Sequence, residues 1–256
     1  MASSHNRPCH VLVRGIFLSL LLILSGCSGL LPRIQDAAVD AARDPWTWVP
    51  LAGAGAIALT GTDHEISDWA EARTPLYGSN ENALEASDTF REASRASAQL
   101  TLLVASKRGD GHWLKEKSID AAGGFAGVMA AKDLTGMLKR TTQRPRPDGS
   151  NDESFPSAHA TDAFANATVA RYFANGLPLG KPVRGGVKWA TSGFAVATAW
   201  ARVEGGVHYP TDVLVGAAIA NFSSRFFLGL TEEPRSWWFK PRRDGDAIII
   251  EMEKEF

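Results

Sequence analysis

The stretch Phe155-Pro156-Ser157-Ala158-His159-Ala160-Thr161-Asp162-Ala163-Phe164-Ala165-Asn166-Ala167 decides the fold. Pro156 and Ser157 open a helix; Ala160, Ala163, Phe164, Ala167 and Ala170 then recur at helical spacing until Asn175-Gly176 stops it. The same pattern repeats outward on both sides. Segment 117–138 carries Phe125, Val128, Met129 and Leu134 and ends in basic Lys139-Arg140, which suits a helix C-terminus. Segment 187–203 is apolar and halts at Gly205-Gly206, and 210–228 begins on Pro210, a residue that a first helical turn accepts. Further out, 49–59 reads as a helix, as does 82–106, which gives way at Gly109-Asp110-Gly111. The final stretch 247–256, with Ile248-Ile249-Ile250, reads as a short strand or an extended arm. The fold class expected is all-α, a helical bundle.

The N-terminal end has a different character. Arg7 and Arg14 precede an apolar run at 16–24, followed by Leu24-Ser25-Gly26-Cys27. A basic start, a short apolar stretch and small residues describe a secretory signal, and the run is shorter than the ~20 residues that span a bilayer. The cysteine after Leu-Ser-Gly resembles a bacterial lipobox, which implies cleavage before Cys27 and lipidation of its thiol. Cys9 then leaves with the signal, so no disulfide is available. Ser28 after the cysteine implies, by resemblance to Gram-negative sorting rules, the outer membrane facing the periplasm. The expected division is signal peptide 1–26, lipid-anchored linker 27–45, helical domain 46–235 and C-terminal arm 236–256.

Composition excludes little else. A net charge of −1 gives no basic footprint, so no nucleic-acid partner is expected. Segment 46–62 is uncharged, yet Pro50, Gly53, Gly55 and Gly61 make it a poor membrane helix; a close-packed helix of the domain is the better reading.

Three short blocks carry the chemistry. Lys139 and Arg146 bracket a loop rich in threonine and proline, and Arg146 has the planar fork that suits phosphate. Ser157 and His159 sit where unpaired backbone N–H groups and a helix dipole favour an anion; helix capping by Ser157 is the plainer alternative. Arg202 precedes a two-glycine turn, after which His208 and Asp212, four apart, share one helix face. A carboxylate on one ring nitrogen fixes the tautomer and leaves the other nitrogen nucleophilic, although a capping histidine and a first-turn aspartate would look the same. Arg140 and Arg144 read as an ordinary solvent-facing basic helix end.

In this order the blocks resemble the signature of the type-2 phosphatidic acid phosphatase superfamily, which includes bacterial class A acid phosphatases and vanadium haloperoxidases. The resemblance runs from Lys139 to Asp212. It implies that His208 is the nucleophile, Asp212 its orienting partner and His159 the general acid, with Lys139, Arg146, Ser157 and Arg202 on the phosphoryl oxygens. Two positions depart from the pattern: Ala158 stands for a glycine and Ala201 for a serine. The activity implied is a metal-independent phosphatase acting through a phosphohistidine, without cofactor, on a phosphorylated lipid or small phosphate ester. The membrane would be reached through the lipid anchor at Cys27. The alternatives are a non-enzymatic phosphate-binding envelope lipoprotein and a vanadate-dependent haloperoxidase.

Overall fold

The computed structural model describes residues 30–105, 113–232, 238–244 and 247–253. Within them the chain forms α1 (Leu30–Arg43), α2 (Pro45–Thr60), α3 (Asp63–Arg73), α4 (Asn80–Val104), α5 (Trp113–Thr142), α6 (Ala158–Ala174), α7 (Lys181–Glu204) and α8 (Pro210–Thr231). An antiparallel hairpin follows, β1 (Trp238–Asp244) and β2 (Ala247–Glu253), in a register that pairs Trp238 with Glu253 and Asp244 with Ala247. The helical bundle is as expected, and the tail read as a strand or an arm is the second strand of this hairpin. The candidate lipidation site Cys27 lies outside the described residues.

The helix that opens on Pro156-Ser157 is the centre of the molecule. Ala160, Ala163, Ala165, Ala167, Ala170 and Ala174 of α6 are wholly buried, with Phe164 and Phe173 nearly so. Short side chains on all sides let α4, α5, α7 and α8 pack against it directly. The indole of Trp46 on α2 meets the Phe164 ring with centroids 6.2 Å apart.

α8 is the second organising helix. Among the described helices it alone is long and apolar enough to cross a membrane, but half of that stretch is buried inside the bundle, where α1, α2, α5 and α6 pack on it. Its crossing with α5 depends on glycine. A Cβ on Gly127 would lie 2.6 Å from the Ser224 Cα, and one on Gly123 would lie 3.0 Å from the Phe227 carbonyl oxygen. Those neighbours are backbone and cannot swing away.

Two segments differ from the sequence expectation. Much of the stretch expected as a linker is helix α1. Leu30, Ile34, Ala37 and Ala41 recur at helical spacing, and Ala37 and Ala41 are buried in a helix that docks on α8. In α2, capped by the Asp44 carboxylate accepting the Trp46 N–H at 2.9 Å, only Thr47 and Ala54 are buried, whereas Trp48, Val49 and Leu51 are about half exposed. One face packs on α8 and the other is open. α3, a polar helix with no clear periodic face, was not legible in the sequence.

The α5–α8 contact yields a test. Gly127→Ala gains about 1 kcal/mol of helix propensity but overpacks a backbone contact at a cost of about 1–3 kcal/mol, so it should melt lower by several degrees. Gly193 lies on α7 where an added Cβ would meet nothing within 4 Å, so Gly193→Ala should stabilise the protein. Thermal unfolding followed by circular dichroism separates the two; a Gly127→Ala protein melting at or above the parent rejects the packing argument.

Candidate active site

Backbone hydrogen bonds bring the three blocks to one end of the bundle. The Ser157 N–H donates to the Asp212 carbonyl at 3.0 Å, joining the start of α6 to the start of α8. The Asp148 N–H donates to the Gly206 carbonyl, also at 3.0 Å, pinning the loop after α5 to the turn between α7 and α8. Lys139, in the last turn of α5, donates through Nζ to the Glu153 carbonyl and so ties the far side of that loop. Gly206 has φ +70°, and a Cβ there would lie 2.7 Å from the Glu71 carboxyl carbon, so the turn requires glycine.

Three cations gather at this end. Burial and the neighbouring Arg146 hold the Lys139 pKa below the usual lysine range, and the same two causes push Arg202 down to about 10. Arg202 is 8% exposed. The guanidinium Nε atoms of Arg91, Arg146 and Arg202 are buried with no hydrogen-bond partner in the protein. Crowded cations with unspent donors are costly by themselves, and an anion placed among them offsets that cost.

His208 is buried, with its Nδ1 3.6 Å from the Asp212 Oδ2. That distance is beyond a hydrogen bond, so the carboxylate acts on the imidazole through charge. Burial pushes the His208 pKa down to about 4; Asp212 opposes this, and Arg202 and Lys139 add to it. The ring is therefore neutral at neutral pH and keeps a lone pair. Asp212 itself, expected chiefly as a partner of His208, has closer partners. Its Oδ1 accepts from Arg144 at 2.7 Å, and its Oδ2 accepts from the Ser154 hydroxyl at 2.5 Å and the Tyr209 N–H at 2.8 Å. Burial alone would raise its pKa, but these donors, with His208, hold it below the ordinary carboxylate value.

His159 lies in the first turn of α6 and meets α4. Its Nε2 is 2.8 Å from the Arg91 Nη1 and 3.1 Å from the Asp88 Oδ1. Burial, then Arg202 and Arg91, lowers its pKa to about 4. A general acid needs a proton, and in this state His159 lacks one at neutral pH; burial is the main reason, the cations on two sides add to it, and Asp88 opposes both. Ser157 is wholly buried and caps its own helix, its Oγ accepting from the Ala160 N–H at 3.5 Å. The capping alternative thus accounts for its hydroxyl in this state. Ala158 is exposed at the start of α6, and Ala201 is buried on α7, where a serine would have added a buried hydroxyl.

Arg140 is exposed, but Arg144 is not the solvent-facing residue expected. It bridges Asp212 and Asp63, each at 2.7 Å, and stacks its Cζ 4.0 Å from the centre of the Tyr209 ring. The repeated Arg-Pro of Arg144-Pro145-Arg146-Pro147 was the one sequence signal for it. Asp63, Asp88, Arg91 and Ser154 gave none, since Asp88 and Arg91 look like any i,i+3 surface pair.

Residues 121–234 match the family model of the PAP2 superfamily, which identifies a PAP2 superfamily domain there. Two strains of Mycobacterium tuberculosis, CDC 1551 / Oshkosh and ATCC 25618 / H37Rv, have a decaprenylphosphoryl-5-phosphoribose phosphatase that is 37% identical over 103 residues. That alignment takes in 37% of this chain and 51% of the relative, so the chain spans about half the length of the curated relatives it matches. A crystal structure of a transmembrane PAP2 type phosphatidylglycerolphosphate phosphatase from Bacillus subtilis overlays with a TM-score of 0.48 at 24% identity, over 72% of this chain and 92% of that one. Asp63, Asp88 and Arg91 fall outside the matched residues.

The depressed imidazoles carry a pH signature. Each binds its proton less tightly folded than unfolded, so between the ordinary 6.5 and about 4 the unfolded chain holds more protons. Stability should therefore fall as pH is lowered through that window and be insensitive to these groups above it. Urea unfolding at pH 7 and pH 4.5 measures the fall, and His208→Asn, which has nothing to titrate, should flatten part of it. An equal pH slope in parent and variant rejects a low His208 pKa.

Proposed function

We infer, from the PAP2 superfamily domain at residues 121–234 and from the site at the head of α6 and α8, that this protein is a phosphoric ester hydrolase. It works without a metal and through a phosphohistidine. The observation that carries the reading is the convergence of Lys139, Arg146 and Arg202 with two neutral imidazoles. The three cations hold the non-bridging phosphoryl oxygens and stabilise the charge that builds on them. His208 presents its Nδ1 towards Asp212, which leaves Nε2 as the attacking atom. As the N–P bond forms, the bond from phosphorus to the leaving oxygen breaks, and His159 gives that oxygen a proton. His159 then takes a proton from water, water attacks phosphorus, and the N–P bond breaks to release phosphate.

The low pKa of His159 is compatible with that role because the substrate changes it. Burial is the larger cause of that low value. A phosphate placed beside Arg202 and Arg91 nevertheless cancels their share and brings a negative charge that favours the imidazolium, so His159 gains its proton as substrate binds. Metal independence rests on the donor set. Cations stand where a metal site would gather carboxylates and imidazoles, and among the described residues no group of three or more His, Cys, Asp or Glu is placed to hold a metal ion. The substrate class is a phosphorylated lipid or a small phosphate ester, and the name of the mycobacterial relatives puts a lipid-linked phosphate first among those to test. Acylation at Cys27 would hold the protein in the cell envelope, at the outer membrane facing the periplasm. Intact-mass measurement of the mature protein should show cleavage before Cys27 plus lipid.

Full-length protein in detergent should hydrolyse an aryl phosphate and a lipid phosphate in the presence of chelator and be inhibited by vanadate. His208→Ala should abolish both turnover and the acid-labile, alkali-stable label seen after rapid quench. His159→Ala should slow alkyl substrates by about 10²–10⁴-fold and aryl phosphates less, since a good leaving group needs little protonation. Activity lost to chelator and restored by a divalent ion overturns metal independence; label persisting in His208→Ala and vanishing in His159→Ala reverses the roles.

A further inference from the structure

We propose that Asp63 and Arg144 are positioning residues for the reaction, fixing the Asp212 carboxylate and through it the attacking His208. The proposal rests on the reading of His208 as nucleophile.

The geometry is a guanidinium shared by two buried carboxylates. Arg144 donates through Nη1 to the Asp212 Oδ1 at 2.7 Å and to the Thr211 Oγ1 at 2.9 Å, and through Nη2 to the Asp63 Oδ2 at 2.7 Å. Asp63 also takes two donors from the first turn of α8, the Thr211 N–H at 2.9 Å and the Thr211 hydroxyl at 2.5 Å. Thr211 is therefore held by Asp63 and Arg144 together, and its N–H is one of those that a helix start leaves without an internal partner. Arg144 is set in place from a third side by the Tyr209 ring. The Asp63 and Asp212 side chains are 10% and 0% exposed, so neither carboxylate exchanges its guanidinium partner for water at low cost.

The consequence falls on His208. With Oδ1 committed to Arg144, and Oδ2 to Ser154 and the Tyr209 N–H, Asp212 cannot rotate towards the imidazole or away from it. The charged groups facing His208 are Asp212, Arg202 and Lys139. Arg144 neutralises part of the Asp212 charge, and that sets how strongly the carboxylate draws the Nδ1 proton. Asp63 in turn aims Arg144. It belongs to α3, ahead of the matched domain, so α3 is tied into the reactive end of the molecule.

Steady-state and rapid-quench kinetics of the full-length protein in detergent, with an aryl phosphate across pH, test this. Arg144→Gln should lower kcat by about 10- to 100-fold, the scale of a misplaced reacting group, with KM and inhibition by vanadate changed by less than about threefold. Relieved of the cation, Asp212 should raise the His208 pKa and move the acid limb of the kcat/KM profile to higher pH. Arg144→Lys keeps a charge but loses the fork, so its acid limb should stay near that of the parent while kcat stays low. Asp63→Asn should lower kcat and leave vanadate inhibition intact. A rise in KM and in the vanadate inhibition constant at unchanged kcat would overturn the proposal and make Arg144 a phosphate ligand. Losses that track melting temperature, with the acid limb unmoved in Arg144→Gln and Asp63→Asn, would reduce both residues to structural roles. If His208→Ala still forms the phosphoenzyme, the underlying mechanism fails; if His208→Ala is dead while these variants match the parent, the positioning proposal alone fails.

Discussion

Two helices that start side by side set the terms for everything else in this protein. The heads of α6 and α8 are joined by the Ser157 N–H to Asp212 carbonyl bond, and they approach so closely that a Cβ on Gly216 would lie 2.9 Å from the Ser157 carbonyl oxygen and 3.0 Å from the Thr161 hydroxyl. Each head carries the partial positive charge of its helix dipole. Lys139, Arg146 and Arg202 are then added to a place that is already positive. The carboxylates Asp212 and Asp63 make that arrangement tolerable, and helix packing prevents the charges from drifting apart.

Burial sets the protonation states of the two imidazoles, and this surplus of positive charge presses in the same direction. On the proposed mechanism the free protein has a base ready and an acid unloaded, and an entering anion would supply what the acid lacks. Binding and the loading of the acid would then be one electrostatic event.

Sequence carried the centre of this arrangement and missed its edge. The alanine pattern of α6 and the starts of α6 and α8 were readable because short residues at helical spacing and a proline in the first turn are local signals. Lys139, Arg146, Ser157, His159, Arg202, His208 and Asp212 were readable as a set through their order and spacing. Asp63, Asp88 and Arg91 were not, because their meaning comes from what α3 and α4 are packed against. Arg144 was misassigned for a related reason: a basic residue after a helix end is ordinary, and only the fold turns its guanidinium back onto two acids. Residues 30–43 were read as a tether although Leu30, Ile34, Ala37 and Ala41 recur at helical spacing; that face has nothing to bury against until α8 is there to receive it.

The bond between Asp63 and Thr211 joins positions 148 residues apart in the chain. A contact of that span forms late, since the entropy of closing so long a loop is lost before the contact rewards it. During synthesis α3 emerges early and must wait for α8, the last of the described helices, before its carboxylate finds Thr211. The nascent chain can therefore collapse around its alanine-rich interior while its reactive end is still incomplete. On the proposed reading, chemistry would be withheld until α8 has been delivered, and a copy cut short before it would lack Asp212 and be inert.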